Sequence, residues 1–115
     1  MKKIFLPCLL VLVLSSCDDK GKITVQNKVH NVTLNKVSWD GYSIASSVLP
    51  GEMSKTLEIR DKKENFPKIS VVKFYMTRGG NQVYLETKST FVLDAGGNLL
   101  IVIADDTQVI NPAAQ

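Results

Sequence analysis

One histidine, two cysteines and one tryptophan are all that this 115-residue chain holds of three residue types on which chemistry often depends. A catalytic zinc site takes about three protein ligands, and a serine nucleophile needs an oriented base. The lone His30 supplies neither and reads as a strand or loop residue. No two carboxylates are paired by spacing across a plausible groove, as glycoside hydrolysis requires. Asp105-Asp106-Thr107 lacks the longer alternating acidic loop of a calcium site and reads as a turn. Gly79-Gly80 and Gly96-Gly97 lack the following lysine and helix of a phosphate loop, so they too read as turns. Asn31-Val32-Thr33 matches a glycosylation acceptor pattern and reads as coincidence. No catalytic residues, metal ligands or cofactor are expected. Helical periodicity is missing as well: no window shows a sustained 3.6-residue apolar repeat with caps.

The N-terminus, by contrast, is strongly patterned. Lys2 and Lys3 precede an apolar run from Ile4 to Leu14, interrupted by Pro7. As a helix that run would reach about 17 Å, well short of the ~30 Å hydrocarbon core, so it reads as a signal-peptide core and not a span. Leu14-Ser15-Ser16-Cys17 then resembles a bacterial lipobox. Small side chains give a signal peptidase access to the bond between Ser16 and Cys17, and the Cys17 thiol carries the lipid. Cys8, inside the apolar run, reads as one more apolar residue. The expectation is a signal peptide over 1–16, an acylated N-terminus with a short tether over 17–21, one domain over 22–110 and a loose tail over 111–115. Two or more acyl chains anchor a protein stably. No disulfide is then available to the mature chain. Asp18 and Asp19 leave the membrane open between inner and outer, with the outer membrane or cell surface favoured.

Charge follows the same division. The net +3 falls to +1 once Lys2 and Lys3 are set aside, leaving 12 basic against 11 acidic residues. Nucleic acid is therefore not an expected partner. Lys20, Lys22, Lys28 and Lys36 read as strand-edge lysines that discourage unwanted pairing.

Residues 17–115 hold 25 Val, Ile and Thr against 12 Leu and Ala, an excess that favours strands. Extended runs alternate with turn signals. Ile23 and Val25 mark a first strand; Val32, Leu34, Val37 and Trp39 mark a second. Parity switches between Leu34 and Val37, which requires a bulge near Asn35-Lys36. Asp40-Gly41 reads as a type I′ hairpin turn into Tyr42 and Ile44, closed by Leu49-Pro50-Gly51. Leu57 and Ile59 mark a fourth strand, and Arg60 to Asn65 a loop. Ile69 to Arg78, Gln82 to Thr87 or further, Leu99 to Ala104, and Val109-Ile110 complete the set. Seven or eight strands point to a single antiparallel β-sandwich, with a small β-barrel as the alternative.

The run Val32-Thr33-Leu34-Asn35-Lys36-Val37-Ser38-Trp39, with Tyr42-Ser43-Ile44 and Leu49-Pro50-Gly51-Glu52, resembles small immunoglobulin-like lipoproteins of Gram-negative bacteria, over roughly residues 22–110. The resemblance implies an immunoglobulin-like sandwich and a place in the cell envelope. The Cys…Trp…Cys signature of antibody domains is absent.

Trp39 and Tyr42 flank the Asp40-Gly41 turn, where they clamp the hairpin or, if exposed, form a platform for a sugar ring or a protein partner. Taken together, the residues point to a lipid-anchored, non-catalytic binding or assembly module of the envelope. Its expected partners are the membrane, through Cys17, and an envelope protein or glycan. The alternative is an inhibitor of an envelope-attacking hydrolase such as lysozyme.

Overall fold

A computed structural model describes residues 18–114; the expectations for the signal segment, the Ser16–Cys17 bond and the acylated Cys17 fall outside them. The fold is all-β. Ten strands run in order: β1 Asp18–Lys28, β2 Thr33–Trp39, β3 Tyr42–Val48, β4 Leu57–Lys62, β5 Lys68–Ser70, β6 Val72–Arg78, β7 Asn81–Thr87, β8 Phe91–Leu93, β9 Asn98–Ala104 and β10 Val109–Ile110. They form a three-stranded sheet β4-β1-β9, a five-stranded sheet β10-β7-β6-β2-β3 and a small β5-β8 pair. The ladders are antiparallel except β1 with β9, which runs parallel from Lys22↔Asn98 to Lys28↔Ala104.

The arrangement is β-sandwich-like because each large sheet is apolar on one face. Ile23, Val25, Ile59, Ile101 and Ile103 from the smaller sheet share one core with Leu34, Val37, Trp39, Ile44, Val48, Val72 and Phe74 from the larger. The period-2 alternation along β1 and β9 is clean, so burial of one face specifies their register. Gly21 lies on the buried face, where a Cβ would come within 2.8 Å of the Leu93 side chain.

Local turn chemistry is as expected. Asp40 and Gly41 both have positive φ, 51° and 79°, as a type I′ turn demands. Lys36 sits at φ 49°, and the β2–β6 register shifts between Asn35 and Ser38. That bulge keeps Leu34, Val37 and Trp39 all on the core side.

Four expectations require correction. The Ile69–Arg78 run is two strands, because the chain changes sheets at Val71, and Phe91–Leu93 is a separate strand pairing with β5. These breaks raise the count to ten. Side chains satisfy the backbone there: Trp39 Nε1 donates to the Ser70 carbonyl at 3.0 Å and Val72 N–H donates to Thr87 Oγ1 at 3.0 Å. Arg60–Lys62 is strand and not loop, pairing with Lys20, Asp19 and Asp18. Hence Asp18–Gly21 is no tether but the first four residues of β1. At the other end Pro112–Ala114 forms a 3-10 turn, with the Ala113 N–H donating to Asn111 Oδ1 at 3.0 Å.

Candidate functional site

The strand edges of the two large sheets differ sharply. Four of the six residues of β4 are charged, and β10 is only two residues long, both ordinary protections against edge pairing. At the end of β9, the Ala104 N–H donates to Thr107 Oγ1 at 2.8 Å and its carbonyl accepts from Thr107 N–H at 3.1 Å. β3 has none of these three devices; its one irregularity is a bulge at Ile44, between the Val37↔Ala45 and Ser38↔Ser43 pairs. Tyr-Ser-Ile-Ala-Ser-Ser-Val carries no charge, no proline and no glycine. Its one ladder is with β2, so among the described residues its other edge has no strand partner.

A groove of about 410 Å³ runs beside that edge, lined by Ile44, Ser46, Ser47, Met53, Ser54 and Lys55 among others. Its far wall is fastened to β1. Asn27 N–H donates to the Glu52 carbonyl at 2.9 Å, Ser54 N–H to the Val25 carbonyl at 2.8 Å, and Val25 N–H to Ser54 Oγ at 2.9 Å. The near wall is fastened by Asn27, whose side chain is fully buried. Its amide donates to the carbonyls of Val32 (2.8 Å) and Val48 (2.9 Å), while its Oδ1 accepts from Val29 N–H (2.9 Å). One side chain thus ties the end of β1 to the start of β2 and the end of β3. Chemically the groove offers main-chain donors and acceptors in a row, with small hydroxylic side chains and an exposed methionine. It suits an extended peptide.

Trp39 and Tyr42 are a cross-strand pair, as their spacing suggests. They are not a platform. Trp39 is 1% exposed and its indole N–H is spent on Ser70, so the ring belongs to the core. Against the half-buried Tyr42 ring lies the Lys68 ammonium, 5.6 Å from the centroid; it is also 5.3 Å from the Phe66 centroid. That ammonium meets Asp61 at 2.7 Å, and Asp61 also accepts from Asn65 Nδ2 and Lys62 N–H. Hydrogen bonds from Lys68, then Asn65 and the Lys62 main chain, draw the Asp61 carboxyl down to about 2, and the same contact raises Lys68. The cluster holds β4 to β5.

Two further clusters were not foreseen from sequence. On the outer face of the larger sheet, the Tyr75 and Tyr84 rings lie 5.2 Å apart at 53°, with Lys36 Nζ 5.5 Å from the Tyr75 centroid. Tyr84 donates to Glu86 at 2.8 Å, and burial followed by that carboxylate pushes its hydroxyl up to about 12. Lys36 is therefore a bulge residue packed over an aromatic and not an edge lysine. The second cluster joins exposed loops: Asp105 accepts from the His30 main-chain N–H at 3.0 Å and pairs with the His30 ring. Those two bonds, main-chain first, hold Asp105 below the usual carboxylate range.

Among the described residues, no three His, Cys, Asp or Glu side chains gather in a way that holds a metal ion, and no helix is long and apolar enough to cross a membrane. No protein-family model, curated protein or solved structure matches the chain.

Proposed function

We propose that this protein is a lipid-anchored module of the bacterial cell envelope that binds a partner without catalysis, taking an extended segment of it along the β3 edge. The observation that carries the binding half is the free, uncharged β3 edge beside a groove whose two walls Asn27 and Ser54 hold in place. Backbone hydrogen bonds supply affinity in such strand addition, and pockets for alternate side chains supply choice. The anchoring half rests on the lipobox-like Leu14-Ser15-Ser16-Cys17. The Asn35–Trp39 run lies in β2 and Leu49–Glu52 forms the corner after β3, an arrangement in keeping with the small immunoglobulin-like lipoproteins that the sequence resembles.

Ser46→Lys tests the binding half, since it sets a cation in the groove at an exposed position. Crosslinked partners are captured from intact envelopes with the wild-type chain and with the variant. The expected result is loss of a specific partner with an unchanged circular-dichroism spectrum. Equal capture by both chains contradicts the reading.

A further inference from the structure

β1 is the central strand of its sheet, with β4 on one side and β9 on the other. Lys22 lies between both ladders and protects no edge, contrary to the expectation from sequence, whereas Lys20 is paired with β4 alone and Lys28 with β9 alone. All three alternate with the buried Gly21, Ile23, Val25 and Asn27 and project from the exposed face. Arg60 and Lys62 of β4 project from the same face, as do Asn98, Leu100 and Val102 of β9. The face carries Lys20, Lys22, Lys28, Arg60 and Lys62 against only Asp18 and Glu58, an excess of three positive charges. Residues 18–115 as a whole carry an excess of one, so the rest of the domain is net acidic.

Across the β1–β4 ladder Lys22 faces Glu58 and Lys62 faces Asp18, but one pair of cations is badly placed. Lys20 stands directly across the ladder from Arg60, a like-charge pairing that weakens a sheet unless an anion intervenes. Arg60 turns along its own strand to Glu58, at 3.0 Å, and among the described residues neither Lys20 nor Lys22 has an ion-pair partner. Beside these lysines lies apolar surface. Leu100 is 48% and Met53 54% exposed, and with Lys22, Thr24 and Thr56 they border a hollow of about 410 Å³. Unpaired lysines around exposed aliphatic side chains suit a surface whose phosphates lie above hydrocarbon.

We infer that the exposed face of the β4-β1-β9 sheet is a docking surface for an anionic phospholipid bilayer. Lys20 and Lys22 meet headgroup phosphates while Leu100 presses between them. Chain length agrees with this placement: β1 begins at Asp18, the residue after the proposed anchor Cys17, so no slack separates the face from the membrane. Docked this way, the domain lies on one sheet and leaves the β3 edge, on the other sheet, free to bind.

The test is lysine footprinting of the full chain on vesicles of phosphatidylcholine alone or mixed with phosphatidylglycerol. Acylation of each lysine is read by mass spectrometry. Lys20, Lys22 and Lys28 are expected to react several-fold more slowly on the acidic vesicles at low salt, with Lys36, Lys73 and Lys88 unchanged. High salt should erase the difference, because such contacts are screened. The double variant Lys20→Gln/Lys22→Gln should lose the protection at Lys28, since each lysine near an anionic surface is worth about fivefold in binding. Equal reactivity on both vesicle types, or even slowing at every lysine, overturns the proposal. Flotation with neutral vesicles at high salt reports the anchor separately. A chain that fails to float there refutes acylation, while its footprint on acidic vesicles still decides the docking face.

Discussion

The side-chain amide of Asn27 donates to the main-chain carbonyl of Val48 at 2.9 Å, joining the central strand of one sheet to the edge strand of the other. The same amide reaches Val32, and its oxygen takes the Val29 N–H. A fully buried polar group held by three hydrogen bonds fixes geometry that an apolar residue cannot. Asn27→Leu strands two carbonyls and one N–H, and each orphaned group costs about 1–3 kcal/mol. The variant is expected to lose about 3 kcal/mol or more in urea unfolding; a change below about 0.5 kcal/mol contradicts the role given to Asn27.

The Asp61–Lys68 contact makes stability depend on pH in acid. The folded carboxyl sits at about 2, below its ordinary value of 3.8. A lowered carboxylate stabilises the fold fully above the unfolded value, and this contribution fades as pH falls through the folded one. The wild-type chain should therefore lose stability between about pH 5 and pH 2. Asp61→Asn should be less stable at neutral pH and show a flatter profile over that window. Parallel profiles from thermal melts would refute the assignment.

Trp39→Phe removes one buried N–H bond to Ser70 and part of a ring from the core. The expected loss is about 1–3 kcal/mol, measured by chemical denaturation. Because the ring is buried, partner capture by the refolded variant should be unchanged. Loss of capture without loss of stability would return Trp39 to the binding surface.

Legibility from sequence followed distance along the chain. The Asp40-Gly41 turn and the Lys36 bulge were readable because each is decided within a few residues, by φ preference and by the parity of Leu34, Val37 and Trp39. The parallel pairing of β1 with β9 was not, because nothing local marks a partner more than 70 residues away. Arg60–Lys62 read as loop because four of the residues from Glu58 to Lys62 are charged, yet Asp61 points inward and is answered by Lys68. Lys20 and Lys22 were visible as a basic cluster; whether they lay on an edge or at the centre depended on β4 and β9. Of the candidate site, the absence of charge from Tyr42 to Val48 could be read directly. That this strand ends its sheet, and that Asn27 holds it there, could not.

Acylation carries its own expectation. Cys17→Ser should block signal cleavage at the Ser16–Cys17 bond and abolish metabolic labelling with a radioactive fatty acid. Labelling that persists in the variant contradicts the anchor.

The most direct test of strand addition places a photoreactive amino acid at Ser47, on the β3 edge, and for comparison at Thr77, on the same sheet away from that edge. Illumination of intact envelopes should give one discrete adduct from position 47, mapping to an extended segment of the partner, and none from position 77. Adducts of equal yield from both positions, or an adduct at 47 that survives Ser46→Lys unchanged, would show that β3 is not the binding edge.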